Sequence, residues 1–337
     1  VNHMTFEKTG TNAGSVCFVY SGSDAITGLL MGEDAAVIGG AEVQQMQYSR
    51  GLKAMGWDVS FVTQDSGQEP DLTSPEGIRL IASYRVPEGA PPWHMLTHKM
   101  PRLRSSLEEA DADIYLTRCG SWLTGFVAWW CRRHGKLSGF WTASDMDPEA
   151  YESRDGWALH DWLVYRWGIR NVDLVISQTK HQMAYWLDVA SKPSILVRNI
   201  WSIPPVGLQG RRDGVLWVGN IRSVKRPHML LDVAEVLPDV GFTMAGGHRA
   251  GEEALYAEVE SRAATMPNVD FRGYVPFETM GPLYARARLL ACTSEIEGFP
   301  NTFLQAWTSG TPVVSTFDPD CVIADHDLGR VCRTADD

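Results

Sequence analysis

The sequence lacks the features that mark several classes of protein. Its six cysteines form no Cys-x-x-Cys pair and have no histidine spacing typical of zinc, so they indicate reduced thiols in a cytoplasmic protein. No apolar run approaches the roughly 18 residues that span a bilayer. Lys and Arg number only 30 against 41 Asp and Glu, and this net charge of -11 disfavours nucleic acid as the main partner. The glycines at 245–251 do not fit the Gly-x-Gly-x-x-Gly fingerprint of a dehydrogenase.

The pattern that is present is an alternation of strands and helices. The 337 residues, 44% of them hydrophobic, exceed the usual size of one domain. The alternation begins with a strand over 15–20, a glycine-rich loop, a helix over 41–55 and a strand over 58–63. Further strands are predicted at 79–82, 113–117, 137–142, 173–177 and 194–197. These elements predict a doubly wound α/β domain.

A second sheet is predicted after a linker. Residues 201–214 are rich in Pro, Gly and Arg and lose periodicity, as linkers do. The helix that follows the strand predicted at 214–218 is expected to end at Pro238. Strands are predicted at 214–218, 241–245, 269–271, 289–293 and 312–315. We therefore expect two Rossmann-like α/β domains, 5–203 and 204–337, that face each other across a cleft, with ligands beyond the carboxyl ends of the strands.

An acidic turn precedes a short helix within residues 293–315. Pro300 is placed for the first helical turn and Gly310 for the residue just past the helix end. The helix N-terminus then opens onto Glu297 and Gly298, where free N–H groups attract anions and the carboxylate can accept hydrogen bonds from sugar hydroxyls. This arrangement suits a nucleotide sugar. An acidic residue before a helix is also commonly a cap, so Glu297 alone leaves both interpretations open.

Four segments, read in order, resemble the GT-B glycosyltransferases of family 4. They are Gly-Gly-Ala-Glu at 39–42, Val-Gly-Asn-Ile-Arg-Ser-Val-Lys-Arg-Pro at 218–227, Val-Asp-Phe-Arg-Gly-Tyr-Val-Pro at 269–276 and Ser-Glu-Ile-Glu-Gly-Phe-Pro-Asn-Thr-Phe-Leu-Gln-Ala-Trp at 294–307. The resemblance implies a GT-B fold and transfer of a sugar from a nucleotide donor to a hydroxyl, with retention at the anomeric carbon. It implies no cofactor or metal, the nucleotide-diphosphate sugar being a co-substrate. It also implies further helices after Asp337, so the C-terminal domain is expected to be incomplete at its end.

One departure from the family's pattern lies in its Glu-x₇-Glu signature. The first position is Glu297, which the resemblance places against the donor sugar. The second is Gln305, whose amide can still bind a ribose hydroxyl but carries no charge. The resemblance also assigns donor contacts to the turn and helix start between them, at Gly298, Phe299, Pro300 and Asn301.

A second departure follows the first strand of the C-terminal domain. The family usually has Gly-Arg there and then a Lys, whereas this chain has Gly219 and Asn220, then Arg222 and Lys225. The resemblance implies that Lys225, with Arg222 in the arginine's role, stabilises the departing diphosphate. One such well-placed donor is worth about 2.7–4 kcal/mol in a transition state. A Lys-Arg-Pro at a helix start is otherwise often a solvated turn.

The resemblance adds three further expectations. The nucleotide base is expected at Tyr274 and Val275. Gly39 and Gly40, in the first βα loop, would let the backbone approach phosphates or the acceptor, although a flexible loop is the simpler interpretation. Ser144 or Asp145 stands at the family's histidine position after the fourth strand of the N-terminal domain. Asp145 could contact a sugar hydroxyl or accept the acceptor's proton, and it could as easily cap a helix.

Tryptophan is concentrated in the predicted acceptor-side domain. Ten of the 13 tryptophans lie between Trp93 and Trp201, and most are expected in the core. Tryptophans followed by arginines at 122–134 and 157–170 also suit helices that rest on a membrane beside a lipid-linked acceptor.

The sequence thus predicts a retaining, metal-independent hexosyltransferase of polysaccharide or glycoconjugate synthesis. Its expected partners are a nucleotide-sugar donor and a sugar or lipid-linked glycan acceptor, with no nucleic acid. It is expected in the cytoplasm, with peripheral contact at the inner face of the membrane. Two alternatives remain open: a nucleotide-sugar binding protein without turnover, suggested by Gln305 and Asn220, and a nucleotide-sugar epimerase on the same fold.

Overall fold

The computed structural model describes residues 13–22, 24–33, 38–68, 71–87, 89, 93–202, 211–248 and 251–332. The chain divides into two compact units, Val1–Arg198 and Asn199–Asp337, each with its own sheet and core. The domain boundary predicted between residues 203 and 204, and most of the predicted linker, lie outside the described residues.

The sheet of the N-terminal unit has eight strands among the residues described. They are β1 (Ser15–Val19), β2 (Asp58–Thr63), β3 (Asp71–Thr73), β4 (Arg79–Ala82), β5 (Ile114–Arg118), β6 (Leu137–Trp141), β7 (Leu174–Ser177) and β8 (Ile195–Leu196). Their order is β3-β4-β2-β1-β5-β6-β7-β8, and only β3 is antiparallel to its neighbour. The strand order reverses at β1, between β2 and β5, which is the topological switch point where such sheets bind ligands.

Seven α-helices of this unit are described. They are α1 (Asp24–Met31), α2 (Gly40–Ala54), α3 (Met100–Ala110), α4 (Trp122–His134), α5 (Met146–Glu152), α6 (Leu159–Asn171) and α7 (Lys180–Ala190). A π-helical turn, Met95–Lys99, precedes α3. The prediction that only a glycine-rich loop separates β1 from α2 was wrong. Ile26, Leu29 and Leu30 are buried, and this i, i+3, i+4 spacing buries one face of α1.

The C-terminal unit has a parallel sheet among its described residues. Its strands are β9 (Asp213–Val218), β10 (Phe242–Ala245), β11 (Val269–Phe271), β12 (Ala287–Cys292), β13 (Val313–Ser315) and β14 (Gly329–Val331), in the order β11-β10-β9-β12-β13-β14. Its helices are α8 (Pro227–Val236), α9 (Glu253–Ala264), α10 (Gly281–Arg286), α11 (Asn301–Thr308) and α12 (Val322–Asp325). The switch point of this sheet lies between β9 and β12.

The C-terminal sheet is buried on both faces. Leu216 of β9 belongs to one apolar core, with Phe303 and Ile323, whereas the next residue, Trp217, belongs to another, with Leu230. Successive side chains of a strand point to opposite faces, so the two cores flank the sheet. Two α/β domains built on predominantly parallel sheets were predicted, and this architecture is confirmed.

Candidate functional site

The loops that follow β9 and β12 meet at one edge of the C-terminal sheet. The two strands are parallel neighbours at the switch point, and Leu216 pairs with Leu290 across them. Residues 219–226 and 293–298 therefore leave the sheet side by side at its carboxyl edge. These two loops contain most of the residues that the sequence singled out.

Lys225 and Glu297 form an ion pair at this edge. Lys225 Nζ donates to Glu297 Oε1, and Ser294 Oγ donates to the same oxygen at 2.8 Å. Lys225 ends a short 3₁₀ turn, Ser223–Lys225, in which the carbonyl of Val224 accepts the N–H of Glu295, in the turn before α11, at 2.8 Å. Both side chains of the pair are largely buried, so the structure brings together the cation and the carboxylate in partial shelter from water.

Further hydrogen bonds hold the two loops together. Arg226 adopts a left-handed backbone with φ 45°, which is uncommon outside glycine, and its Nε donates to the carbonyl of Thr293 at 2.7 Å. Thr293 Oγ1 in turn donates to the carbonyl of Lys225 at 2.6 Å and accepts from Trp217 Nε1 at 3.0 Å. The sequence did not identify Arg226, Thr293 or Ser294 as parts of the site. The signal that could have identified them is their short separation in sequence from Lys225 and Glu297.

Arg222 supplies a second cation close to Lys225. Its backbone is extended and its carbonyl accepts the N–H of Lys225 at 3.0 Å. No carboxylate in the described part of the chain lies within ion-pair distance of its half-buried side chain. Gly219 and Asn220 begin the same loop, and Gly219 N–H donates to the carbonyl of Ala245 at 3.1 Å. The loop therefore presents positive charge that Glu297 neutralises only in part.

The loops after β10 and β11 extend the same edge. Gly246 N–H donates to the carbonyl of Gly273 at 2.7 Å, and an added Cβ at Gly247 would lie 3.5 Å from Tyr274 Cβ. Tyr274 is 41% exposed, while Val275 packs against the core. The two residues predicted to receive the base thus lie at the same edge of the sheet as Glu297, with strands β10 and β9 between β11 and β12.

Gly246 has no room for a side chain. An added Cβ would lie 1.8 Å from the carbonyl oxygen of Gly219, a backbone atom of the cation-bearing loop. We expect Gly246→Ala to lower the free energy of unfolding by about 3 kcal/mol, at the upper end of what overpacking costs. Urea unfolding measures this loss. Gly247→Ala is the matched control, because its Cβ would make only an ordinary contact, and an equal loss in both variants would contradict the argument.

The N-terminus of α11 lies directly after the acidic turn. Pro300 is the N-cap residue, one position before the helix, and Gly310 lies just past its end with φ 69°. Gly298, Phe299 and Pro300 are buried. Asn199 Nδ2 donates to the carbonyl of Phe299 at 2.7 Å and to Asn301 Oδ1 at 3.1 Å. Gln305 is half-buried one turn after Asn301, on the same face of α11.

Gly39 and Gly40 lie at the start of α2 in the N-terminal unit. Gly39 is the N-cap residue with φ -102°, and Gly40 is the first helical residue. The two glycines predicted within a loop therefore begin a helix, where the first N–H groups lack intrahelical partners. Glu42, in the first turn, accepts a hydrogen bond from Tyr20 Oη at 2.6 Å.

Asp145 occupies the N-cap position of α5, but its side chain makes no capping hydrogen bond. Its Oδ1 instead accepts from Gln182 Nε2 at 2.9 Å. The carboxylate that organises this loop is Asp147, which accepts from the N–H groups of Gly120 at 2.8 Å and Ala143 at 2.6 Å. Burial raises the pKa of Asp147, and its backbone hydrogen bonds oppose that effect.

Arg118 is buried at the end of β5, at the switch point of the N-terminal sheet. It was not among the residues predicted from the sequence. Arg118 Cζ lies 3.9 Å from the centroid of the Trp141 ring, and burial lowers the Arg118 pKa to about 10. Asp147 and Glu42 contribute negative charge nearby. Only burial distinguishes Arg118 from a surface arginine, so the sequence carried no signal for it.

The described residues contain neither a metal-binding cluster nor a membrane-spanning helix. No three His, Cys, Asp or Glu side chains in these ranges are grouped so that they could hold a metal ion. No helix among them is long and apolar enough to cross a membrane.

Comparison with known proteins identifies relatives for both units. A model of the glycosyl transferase 4-like domain matches residues 39–194, and a model of glycosyl transferases group 1 matches residues 212–336. Mannosylfructose-phosphate synthase of Agrobacterium fabrum is 24% identical, and the match covers 84% of this chain and 72% of that protein.

Two solved structures share the fold. Sucrose-phosphate synthase of Thermosynechococcus elongatus has a TM-score of 0.69 and 18% identity, with 90% of this chain and 81% of that chain covered. Anabaena HepE, in complex with UDP and glucose, has a TM-score of 0.62 and 14% identity, with 90% and 80% covered. At these identities the likeness is one of fold.

Proposed function

The chain belongs to the glycosyl transferase group 1 family and is a GT-B glycosyltransferase, and we propose that it transfers a hexosyl unit from a nucleoside diphosphate sugar, with retention and without a bound metal. The observation that carries this proposal is the pairing of Lys225 with Glu297 beside the N-terminus of α11. A cation, a carboxylate and the N-terminus of a helix at one edge of the sheet match the chemistry of a diphosphate bound to a sugar.

The proposed roles follow from where charge develops. The bond from the anomeric carbon to the diphosphate breaks, and negative charge builds on the leaving phosphate oxygens. Lys225, Arg222 and the first N–H groups of α11 stabilise that charge, because such groups act most strongly where water is partly excluded. Glu297 accepts hydrogen bonds from the donor sugar while it holds Lys225 in place. Gln305 binds the ribose, and Tyr274 and Val275 receive the base.

The acceptor hydroxyl attacks the face that the diphosphate leaves. A new bond forms between its oxygen and the anomeric carbon, and its proton passes to a phosphate oxygen of the departing nucleoside diphosphate. Acceptor contacts by Asp145, Gly39 and Gly40 stay predictions. The names of the two synthases above each include a phosphorylated sugar product. Sugar phosphates are therefore tested as acceptors beside sugars and lipid-linked glycans.

Thermal unfolding with a panel of nucleoside diphosphates and their sugars tests the donor site. One base is expected to stabilise the protein, by about 2.7 kcal/mol when the ligand is present at 100 times its Kd. Lys225→Ala is expected to abolish the shift. Lys136→Ala, which removes a half-buried lysine paired with the exposed Asp111, is the control and retains the shift. If no nucleotide raises Tm, the proposal fails.

Two rival functions are separated by their products. A nucleotide-sugar binding protein would show the thermal shift but release no nucleoside diphosphate with any acceptor. Gln305 favours this binding protein without turnover, because glutamine brings no charge to the proposed ribose site. An epimerase would convert the free donor without an acceptor. A transferase releases nucleoside diphosphate faster when the acceptor is added.

The cytoplasmic location stays a prediction.

A further inference from the structure

An apolar groove lies on the N-terminal unit, among residues that the proposed function does not use. Its volume is about 720 Å³. Its walls are α4, α6 and the π-helical turn before α3, and the residues that line it are predominantly apolar. They include Leu96, Trp122, Phe126, Trp129, Leu163 and Trp167.

Two glycines bring α4 and α6 into backbone contact beneath the groove. A Cβ added at Gly125 would lie 2.2 Å from the carbonyl oxygen of Val164, and one added at Gly168 would lie 2.6 Å from the backbone nitrogen of Gly125. With the helix backbones this close, large side chains cannot fill the contact and lie along its margins. The groove is therefore a fixed feature of how the two helices pack.

Large apolar side chains of the groove are open to solvent. Leu96 is 68% exposed, Leu163 52% and Trp167 41%. Most tryptophans between Trp93 and Trp201 were expected in the core; three of them, Trp130, Trp141 and Trp186, are buried, whereas Trp167, like Trp93, is exposed. A contiguous exposed apolar surface of this kind marks a binding surface.

Cations lie against two of the tryptophans that line the groove. Lys99 Nζ lies 4.5 Å from the ring centroid of Trp122, and Arg133 Cζ lies 4.6 Å from that of Trp129. Arg132 is exposed and continues the same face of α4, three residues after Trp129. The one acidic residue among those that line the groove is Asp161. The chain as a whole carries a net charge of -11, so this positive rim is a local departure from the rest of the surface.

We propose that this groove docks the protein on a membrane that contains anionic phospholipid, with acyl chains against the groove and Lys99, Arg132 and Arg133 at the headgroups. Tryptophans and long cationic side chains around an apolar surface are the arrangement that rests at a lipid interface. A second copy of this chain is disfavoured as the occupant. A symmetric contact through the groove would bring the same cations against each other. This surface has a binding role that goes beyond the donor site.

Co-sedimentation of the whole chain with lipid vesicles tests the proposal. Vesicles of phosphatidylcholine with phosphatidylglycerol are expected to bind the protein more strongly than pure phosphatidylcholine, with the difference reduced at high salt. Leu163→Glu is expected to lower the partition coefficient roughly tenfold, because it places a charge on the acyl-facing surface. Arg132→Ala with Arg133→Ala is expected to weaken binding to the anionic vesicles alone.

Leu187→Glu provides the matched control. Leu187 is 59% exposed on α7 of the same unit and does not line the groove, so this variant is expected to bind like the wild type. An unchanged Tm separates loss of docking from loss of fold in Leu163→Glu. Equal binding by the two leucine variants, or absence of binding to anionic vesicles, would overturn the proposal. So would a dimer in solution that Leu163→Glu dissociates, since a second copy would then cover the groove.

Discussion

Lys225→Ala is expected to slow the release of nucleoside diphosphate by about 10²–10³-fold, the cost of removing one well-placed donor to a developing negative charge. The effect falls on kcat, because the charge on the diphosphate grows as the bond to the sugar breaks. The variant also leaves Glu297 without its cation, and a carboxylate beside the diphosphate then repels it. The rate is measured at saturating donor, with the best acceptor found.

The Glu297→Ala variant and the double variant complete the experiment. If the two residues act as one unit, the double variant loses little more activity than Lys225→Ala alone. Lys136→Ala, on the other unit, should retain the full rate. A loss of less than about fivefold in Lys225→Ala would contradict its role, because transition-state donors cost far more when they are removed.

Asp147→Ala is expected to lower the free energy of unfolding by about 3–5 kcal/mol, which is the usual cost of breaking a buried charge arrangement. The substitution leaves the N–H groups of Gly120 and Ala143 without their acceptor, and it removes a negative charge close to buried Arg118. Urea unfolding followed by tryptophan fluorescence measures the loss, since Trp141 stacks on Arg118.

Asp145→Ala is the matched control for this prediction. Asp145 lies two residues away; its Oδ1 accepts a hydrogen bond from the side chain of Gln182, and its Oδ2 lies 3.5 Å from Nδ1 of the exposed His181. Its removal is expected to cost about 1–2 kcal/mol, the range for a hydrogen bond between side chains together with a solvent-exposed charge contact. If both variants lost the same stability, burial and backbone hydrogen bonding would not be what distinguishes Asp147.

Much of the fold was accessible from the sequence because strands and turns carry local signals. The strands predicted at 58–63, 79–82 and 269–271 have the bounds that the structure gives them. Some elements were missed for physical reasons. β3 and β14 are three-residue strands at the ends of their sheets, too short to show a periodicity. α1 contains Gly28 and lies beside other glycines, so its apolar spacing was taken for a loop.

The candidate site was predictable only in part. Lys225 and Glu297 were identified from short segments, and the order of strands β9 and β12 brings those segments together. The bonds from Arg226 and Thr293 depend on a left-handed backbone and on contacts across about 70 residues of sequence. Arg118 and Asp147 matter because they are buried, and burial is a property of the folded chain.

The two-sided packing of β9 determines where the cation of the site lies. Leu216 and Trp217 project into different cores, so a slip of one residue would turn each of them to the opposite face of the sheet and into the wrong core. The same slip would move Lys225 along the edge, away from Glu297. Apolar packing along β9 thus fixes the position of Lys225 relative to Glu297. Mutations in either core can therefore displace the Lys225 cation without contacting it.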